Sequence, residues 1–141
     1  MDILFHTDDC NYRLPQKRLM RRWLREVAQQ EGNYEIGEIN YIFCPSNVHR
    51  QMNIDFVGHD YFTDIITFDY CEGDKLSGDL FISVDSVREN AIEYGTEFSD
   101  ELNRVIVHGV LHLIGYDDHC EEDIAEMRSK ENYYLSLREL V

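Results

Sequence analysis

The longest apolar run in the chain, VIVHGVLHLIG from Val105 to Gly115, is interrupted by two histidines four residues apart. It falls short of membrane-spanning length. It therefore predicts a central helix, built on Leu102, Val105, Ile106, Leu111 and Leu113 and stopped by Gly115. Residues four apart on a helix lie one above the other, so His108 and His112 can offer two imidazoles to one divalent ion.

The residues just past the helix strengthen the case for a metal. Gly115 permits a left-handed turn, and Asp117, Asp118, His119 and Cys120 come directly after it. Metzincin metalloproteases place a glycine seven residues, and a third ligand ten residues, after the first histidine. Counted from His108, those positions are Gly115 and Asp118. Asp118 has the right offset for the third ligand, and His119 is the alternative, with the commoner ligand side chain one residue late. Cys120 reads as a bystander thiol. Two nitrogens plus a carboxylate or a third nitrogen suit zinc best, one ion per chain, with an open coordination position, while nickel, copper and manganese share these ligand types. A structural reading competes, in which both histidines are core residues bonded to backbone carbonyls. Zinc peptidases of the HExxH type carry a glutamate beside the first histidine as general base. Here that position is Gly109, which argues against an ordinary zinc protease.

The rest of the chain is expected to form one α+β domain over residues 1–141, a small mixed sheet of about four strands packed against about five helices. Strands are expected at Asp2–His6, Glu35–Cys44, Thr63–Tyr70 and Leu80–Val84, with CEGDKLSGD as a hairpin connection. Helices are expected from Pro15 to Gln30 with Leu19, Trp23, Leu24 and Val27 inward, and from Ser46 to Ile54. Others should be capped by Asp85 and by Ser99, and a last one should fill most of Glu121–Leu140, with Tyr133, Tyr134, Leu135 and Leu137 as core contacts. Four scattered cysteines without a CxxC pair, and a start that lacks a signal-peptide pattern, point to reduced thiols in a cytosol. With 13 Lys and Arg against 28 Asp and Glu, the formal net charge is −15. The surface as a whole repels polyanions, so an RNA partner needs a local patch or a metal.

HGVLHLIGYDDH at 108–119 is close to the H-G-x-L-H-L-x-G-Y-D-H signature of the YbeY family of bacterial rRNA-maturation endoribonucleases. Thr63-Asp64-Ile65-Ile66-Thr67-Phe68 is similar to that family's T-D-V-L-S-F segment, and Gly78-Asp79-Leu80-Phe81-Ile82-Ser83 to its G-D-I-x-I-S segment. Asn53 stands where an asparagine is expected. The resemblance covers nearly the whole chain. It implies a zinc-dependent endoribonuclease, specific for single strands, acting in 16S rRNA 3′-end maturation and ribosome quality control. It also implies a cytoplasmic location, with rRNA and the small ribosomal subunit as partners and neither membrane nor DNA involved. His108 and His112 match the family's first two metal ligands and carry the catalytic role, while Asp118 occupies the place of a third ligand that is histidine in the family. Val57 stands where the family has an arginine facing the phosphate, with Arg50 and His59 as nearby cations. The competing classes are a non-catalytic metal-binding factor in ribosome biogenesis and an atypical metal-dependent hydrolase.

Six of the basic residues lie between Arg13 and Arg25, and Arg18, Arg21, Arg22 and Arg25 share one side of the expected helix. They are candidate RNA contacts, against the simpler reading of a solvated charged face. Asp64 and Asp79 are candidates to orient ligand histidines. His6 and His49 carry no functional signal.

Overall fold

A computed structural model of the chain describes residues 2–8, 10–52 and 64–138. The expectations for Asn53, Ile54, Thr63 and positions 56–60, including Val57 and His59, lie outside the described residues, as does the last expected helix beyond residue 138.

The elements run β1 (Ile3–Thr7), α1 (Lys17–Gly32), β2 (Glu35–Cys44), α2 (Ser46–Met52), β3 (Ile65–Asp69), β4 (Lys75–Ser83), α3 (Val84–Tyr94), α4 (Phe98–Ile114) and α5 (Glu121–Arg138). This is the expected α+β architecture. The sheet order is β1-β2-β4-β3, with β1, β2 and β4 parallel and β3 antiparallel on the edge beside β4. Parallel neighbours need a crossover, and α1 supplies the one between β1 and β2.

α4 is apolar almost all round because it touches β3, β4, α1, α3 and α5. Its approach to the sheet is set by Gly109, where an added Cβ would stand 2.3 Å from Leu80 Cδ2 and 3.1 Å from Ile65 Cδ1. Position 109 is thus pressed against β4, which leaves no room there for the glutamate that HExxH peptidases carry next to their first histidine. Gly78 on β4 makes the matching approach, with Leu113 of α4 beside it.

β4 is longer than expected. Lys75, Ser77 and Asp79 alternate with buried Leu76, Gly78 and Leu80, so a stretch that looks like connecting loop is half of a strand. The β3–β4 connection shrinks to residues 70–74, turning at Gly73 with φ 57°. The same alternation corrects the expectation for Asp79. It lies on the face opposite Leu80, away from α4, where Oδ1 accepts from Asn40 Nδ2 at 3.1 Å; Asn40 Oδ1 in turn meets His6 Nε2 at 2.9 Å. Asp79 stitches three strands together and does not orient a histidine of α4.

Helix starts also differ. α1 begins at Lys17, two residues beyond Pro15, after Gln16 in a left-handed conformation. Its buried members are Met20, Trp23, Leu24, Val27 and Ala28, while Leu19 is only half-buried. α3 is capped by Ser83, whose hydroxyl accepts from Ser86 N at 3.2 Å. Asp85 sits inside the first turn and accepts from Ser46 N instead. Glu97, not Ser99, holds the cap position of α4. On α5, Tyr134 is buried, with its carbonyl accepting from Trp23 Nε1 at 2.8 Å, whereas Tyr133 faces solvent. His49 is buried, with Nε2 donating to Phe81 O at 2.9 Å. The four cysteines are unpaired. Among the described residues no helix is long and apolar enough to cross a membrane.

Candidate functional site

His108 and His112 project from the last two turns of α4 with their rings nearly parallel, 6° between planes and 6.3 Å between centroids. Both line one open cleft of about 570 Å³, which also takes in Asp64, Asp118, Arg104 and Glu131. Each ring is held by its Nδ1. His108 Nδ1 lies 2.7 Å from Glu131 Oε2, and His112 Nδ1 lies 3.1 Å from the carbonyl of Tyr116. A carbonyl or an ionised carboxylate can only accept, so both Nδ1 atoms carry the proton. Both Nε2 atoms are then left to interact with the cleft. This is the tautomer that a metal-ligating histidine adopts.

Glu131 is a buried carboxylate on α5, its side chain only 6% exposed. It also accepts from Arg104 NH1 at 2.9 Å, and Arg104 NH2 reaches Asn132 Oδ1 at 2.8 Å. Burial alone would raise the Glu131 carboxyl, but the bonds from His108 and Arg104 outweigh it and hold it below its ordinary value. For His108 burial works toward a lower value. The Glu131 bond and charge, with Asp64 and Asp118, overcome that and leave it raised.

Past α4, Gly115 adopts φ 128°, a conformation that suits glycine alone. Its amide reaches the carbonyls of Leu111 and His112, and Tyr116 N closes on Leu111 O at 3.1 Å. The turn is anchored from outside. Tyr116 OH donates to Glu31 Oε1 at 2.5 Å, while Tyr134 OH and Lys130 Nζ bond to Glu31 Oε2. The chain then returns over the cleft. Asp118 Oδ2 stands 3.6 Å from His108 Nε2. His119 points elsewhere: its side chain is 79% exposed and Nε2 lies 3.9 Å from Asp117 Oδ1.

The structure therefore lines one cleft with His108, His112 and Asp118, sets Asp118 beside His108, and leaves His119 exposed at the rim. Among the described residues, no three His, Cys, Asp or Glu side chains are already gathered to the spacing of a closed metal cage. The donor chemistry nonetheless fits a divalent ion, with two oriented imidazoles and a carboxylate beside the first. Asp64 lines the same cleft, and burial raises its carboxyl despite the pull of His108. Cys120 is exposed.

The four arginines of α1 lie outside this cleft. Arg21 donates from Nε to Ile3 O at 2.7 Å and stands over the Phe5 ring, and Arg25 pairs with Asp2. Arg18 and Arg22 are exposed. Two of the four are thus occupied in fixing β1 to α1.

The sequence reading missed Glu131, Arg104 and Glu31. A signal for the first was present, since Met127, Glu131 and Tyr134 follow helical core spacing and a carboxylate there needs a buried partner. Arg104 stands one turn before His108 on the same face of α4.

Fold and site together define a class: a one-sheet α+β protein with a paired-histidine cleft at the end of its central helix. Comparison with known proteins makes this specific. Residues 3–138 match the family described as Endoribonuclease YbeY. A Bacteroides thetaiotaomicron protein of that name is 44% identical over 138 residues, covering 98% of this chain and 100% of the relative. The Cytophaga hutchinsonii protein of the same name is 48% identical, covering 96% and 95%. The solution structure of TM1509 from Thermotoga maritima superposes with a TM-score of 0.68 at 28% identity, over 96% of this chain and 88% of that one. The chain belongs to the YbeY family.

Proposed function

We propose that this protein is a cytoplasmic, zinc-dependent endoribonuclease that cleaves single-stranded RNA in 16S rRNA 3′-end maturation on the small ribosomal subunit. The relatives named as endoribonucleases support the substrate class. The carrying observation is that both histidines commit Nδ1 to fixed acceptors and direct Nε2 to one cleft.

His108, His112 and Asp118 would hold the ion. When bound, zinc supplies Lewis acidity that polarises a phosphoryl oxygen or lowers the pKa of water. The protein's own part is positioning. Glu131 keeps the proton of His108 on Nδ1, and the Tyr116 carbonyl does the same for His112, so each Nε2 would offer a lone pair to a bound ion. Arg104 neutralises part of the charge that Glu131 brings into the cleft.

Purified protein is tested on a 16S 3′ precursor beside His112→Ala. Cleavage by the wild type that is abolished in the variant and by chelation supports the reading. Equal cleavage by both proteins, or none by either, removes it.

A further inference from the structure

A folded chain covers most of its large apolar side chains. Among the described residues, five large hydrophobics remain conspicuously exposed: Tyr70, Ile92, Tyr94, Ile124 and Tyr133. Two of these, Tyr94 on α3 at 60% and Ile124 on α5 at 49%, line the histidine cleft. On α3, Asn90 and Tyr94 are one turn apart and both border the cleft. On α5, Ile124 and Arg128 repeat that spacing and also border the cleft. Each helix thus shows one apolar side chain and one hydrogen-bonding side chain beside the floor formed by His108 and His112.

Charge separates the floor from this rim. The floor is acidic, with Asp64, Glu101, Asp118 and Glu131, and suits a cation. Two arginines border the cleft. Arg104 is committed to Glu131 and Asn132, with its side chain 24% exposed. Arg128 is 54% exposed and only loosely near Glu131, at 3.9 Å, so its guanidinium is available to an incoming anion.

A ligand that matches both features carries an exposed π-face next to an anionic group. An unpaired nucleotide has that pairing, because a base outside a duplex leaves its faces uncovered and aromatic side chains stack on them irrespective of sequence. We propose that Tyr94 stacks an unpaired base of the RNA while Arg128 contacts the adjoining phosphodiester, making the α3–α5 rim a nucleotide subsite. This rests on the endoribonuclease reading and deepens it: the rim selects single strands, since a base locked in a duplex cannot reach the Tyr94 ring.

The test measures binding of a short fluorescent 2′-O-methyl oligonucleotide, verified to be intact after each titration, by anisotropy across a salt series with the metal-loaded protein. Tyr94→Ala should weaken binding by about 5- to 100-fold, and Tyr94→Phe should retain it. Arg128→Gln should reduce the slope of log affinity against log salt by about one phosphate's share. A strand made abasic throughout should bind wild type about as weakly as the intact strand binds Tyr94→Ala. Undiminished binding by Tyr94→Ala, or full binding of the abasic strand, overturns the subsite and leaves the nuclease reading standing. No binding of any single strand by wild type overturns both.

Discussion

At the scale of single residues, Glu131 is the position where a small chemical change should have the clearest effect. Its carboxylate accepts hydrogen bonds from His108 Nδ1 and from the Arg104 guanidinium with almost no access to water. Glu131→Gln can present its amide nitrogen to His108, removing the acceptor and with it the preference for a free Nε2. Zinc affinity measured by chelator competition is expected to fall about 10- to 100-fold. The histidine pair itself was legible from spacing alone, because four residues on a helix fix two side chains on one face. Glu131 was not, because its contact with His108 spans 23 positions and depends on how α5 crosses α4. Spacing alone left Asp118 and His119 open as neighbours of the pair, and the turn after Gly115 sets Asp118 beside His108 while His119 is exposed.

At the scale of elements, the helix beside the sheet depends on a missing side chain. Gly109 lets α4 lie against Leu80 and Ile65, and a methyl group there collides at 2.3 Å. Gly109→Ala should destabilise the fold by about 1–3 kcal/mol through overpacking, read as a lower urea midpoint with an unchanged slope. A mutation that only improved helix propensity would raise the midpoint. The elements were readable where periodicity was strong, as in α4 and β2. Boundaries slipped where two residues competed for a cap: Asp85 is a good capping residue, but Ser83 leaves the strand at the right place to use its hydroxyl. β4 was cut short because Lys75 and Ser77 resemble turn residues until β2 is seen to pair along the strand.

For the whole molecule, Glu31 joins parts distant in sequence: the end of α1, the turn after α4, and α5, through Tyr116, Tyr134 and Lys130. Burial would raise this carboxyl, yet the three donors prevail and lower it from its ordinary 4.5. A group whose value is lowered on folding contributes stability above its unfolded value and loses it as pH falls through its folded value. Glu31→Gln should therefore unfold more easily than wild type by about 1–3 kcal/mol near neutrality. That gap should be undiminished down to about pH 5 and close only as the solution is acidified below 4.5. Denaturant unfolding of both proteins from pH 7 to pH 3 checks the sign. Sequence could not reveal this junction, because Glu31, in isolation, resembles any solvated glutamate near a helix end.

The bond from His112 to the Tyr116 carbonyl gives the end of α4 an unusual vulnerability. In most helices the final turn can fray with little harm. Here fraying would release the clasp on the second imidazole and let it spin, so the parallel setting of the two rings would be lost on warming before the core itself melts.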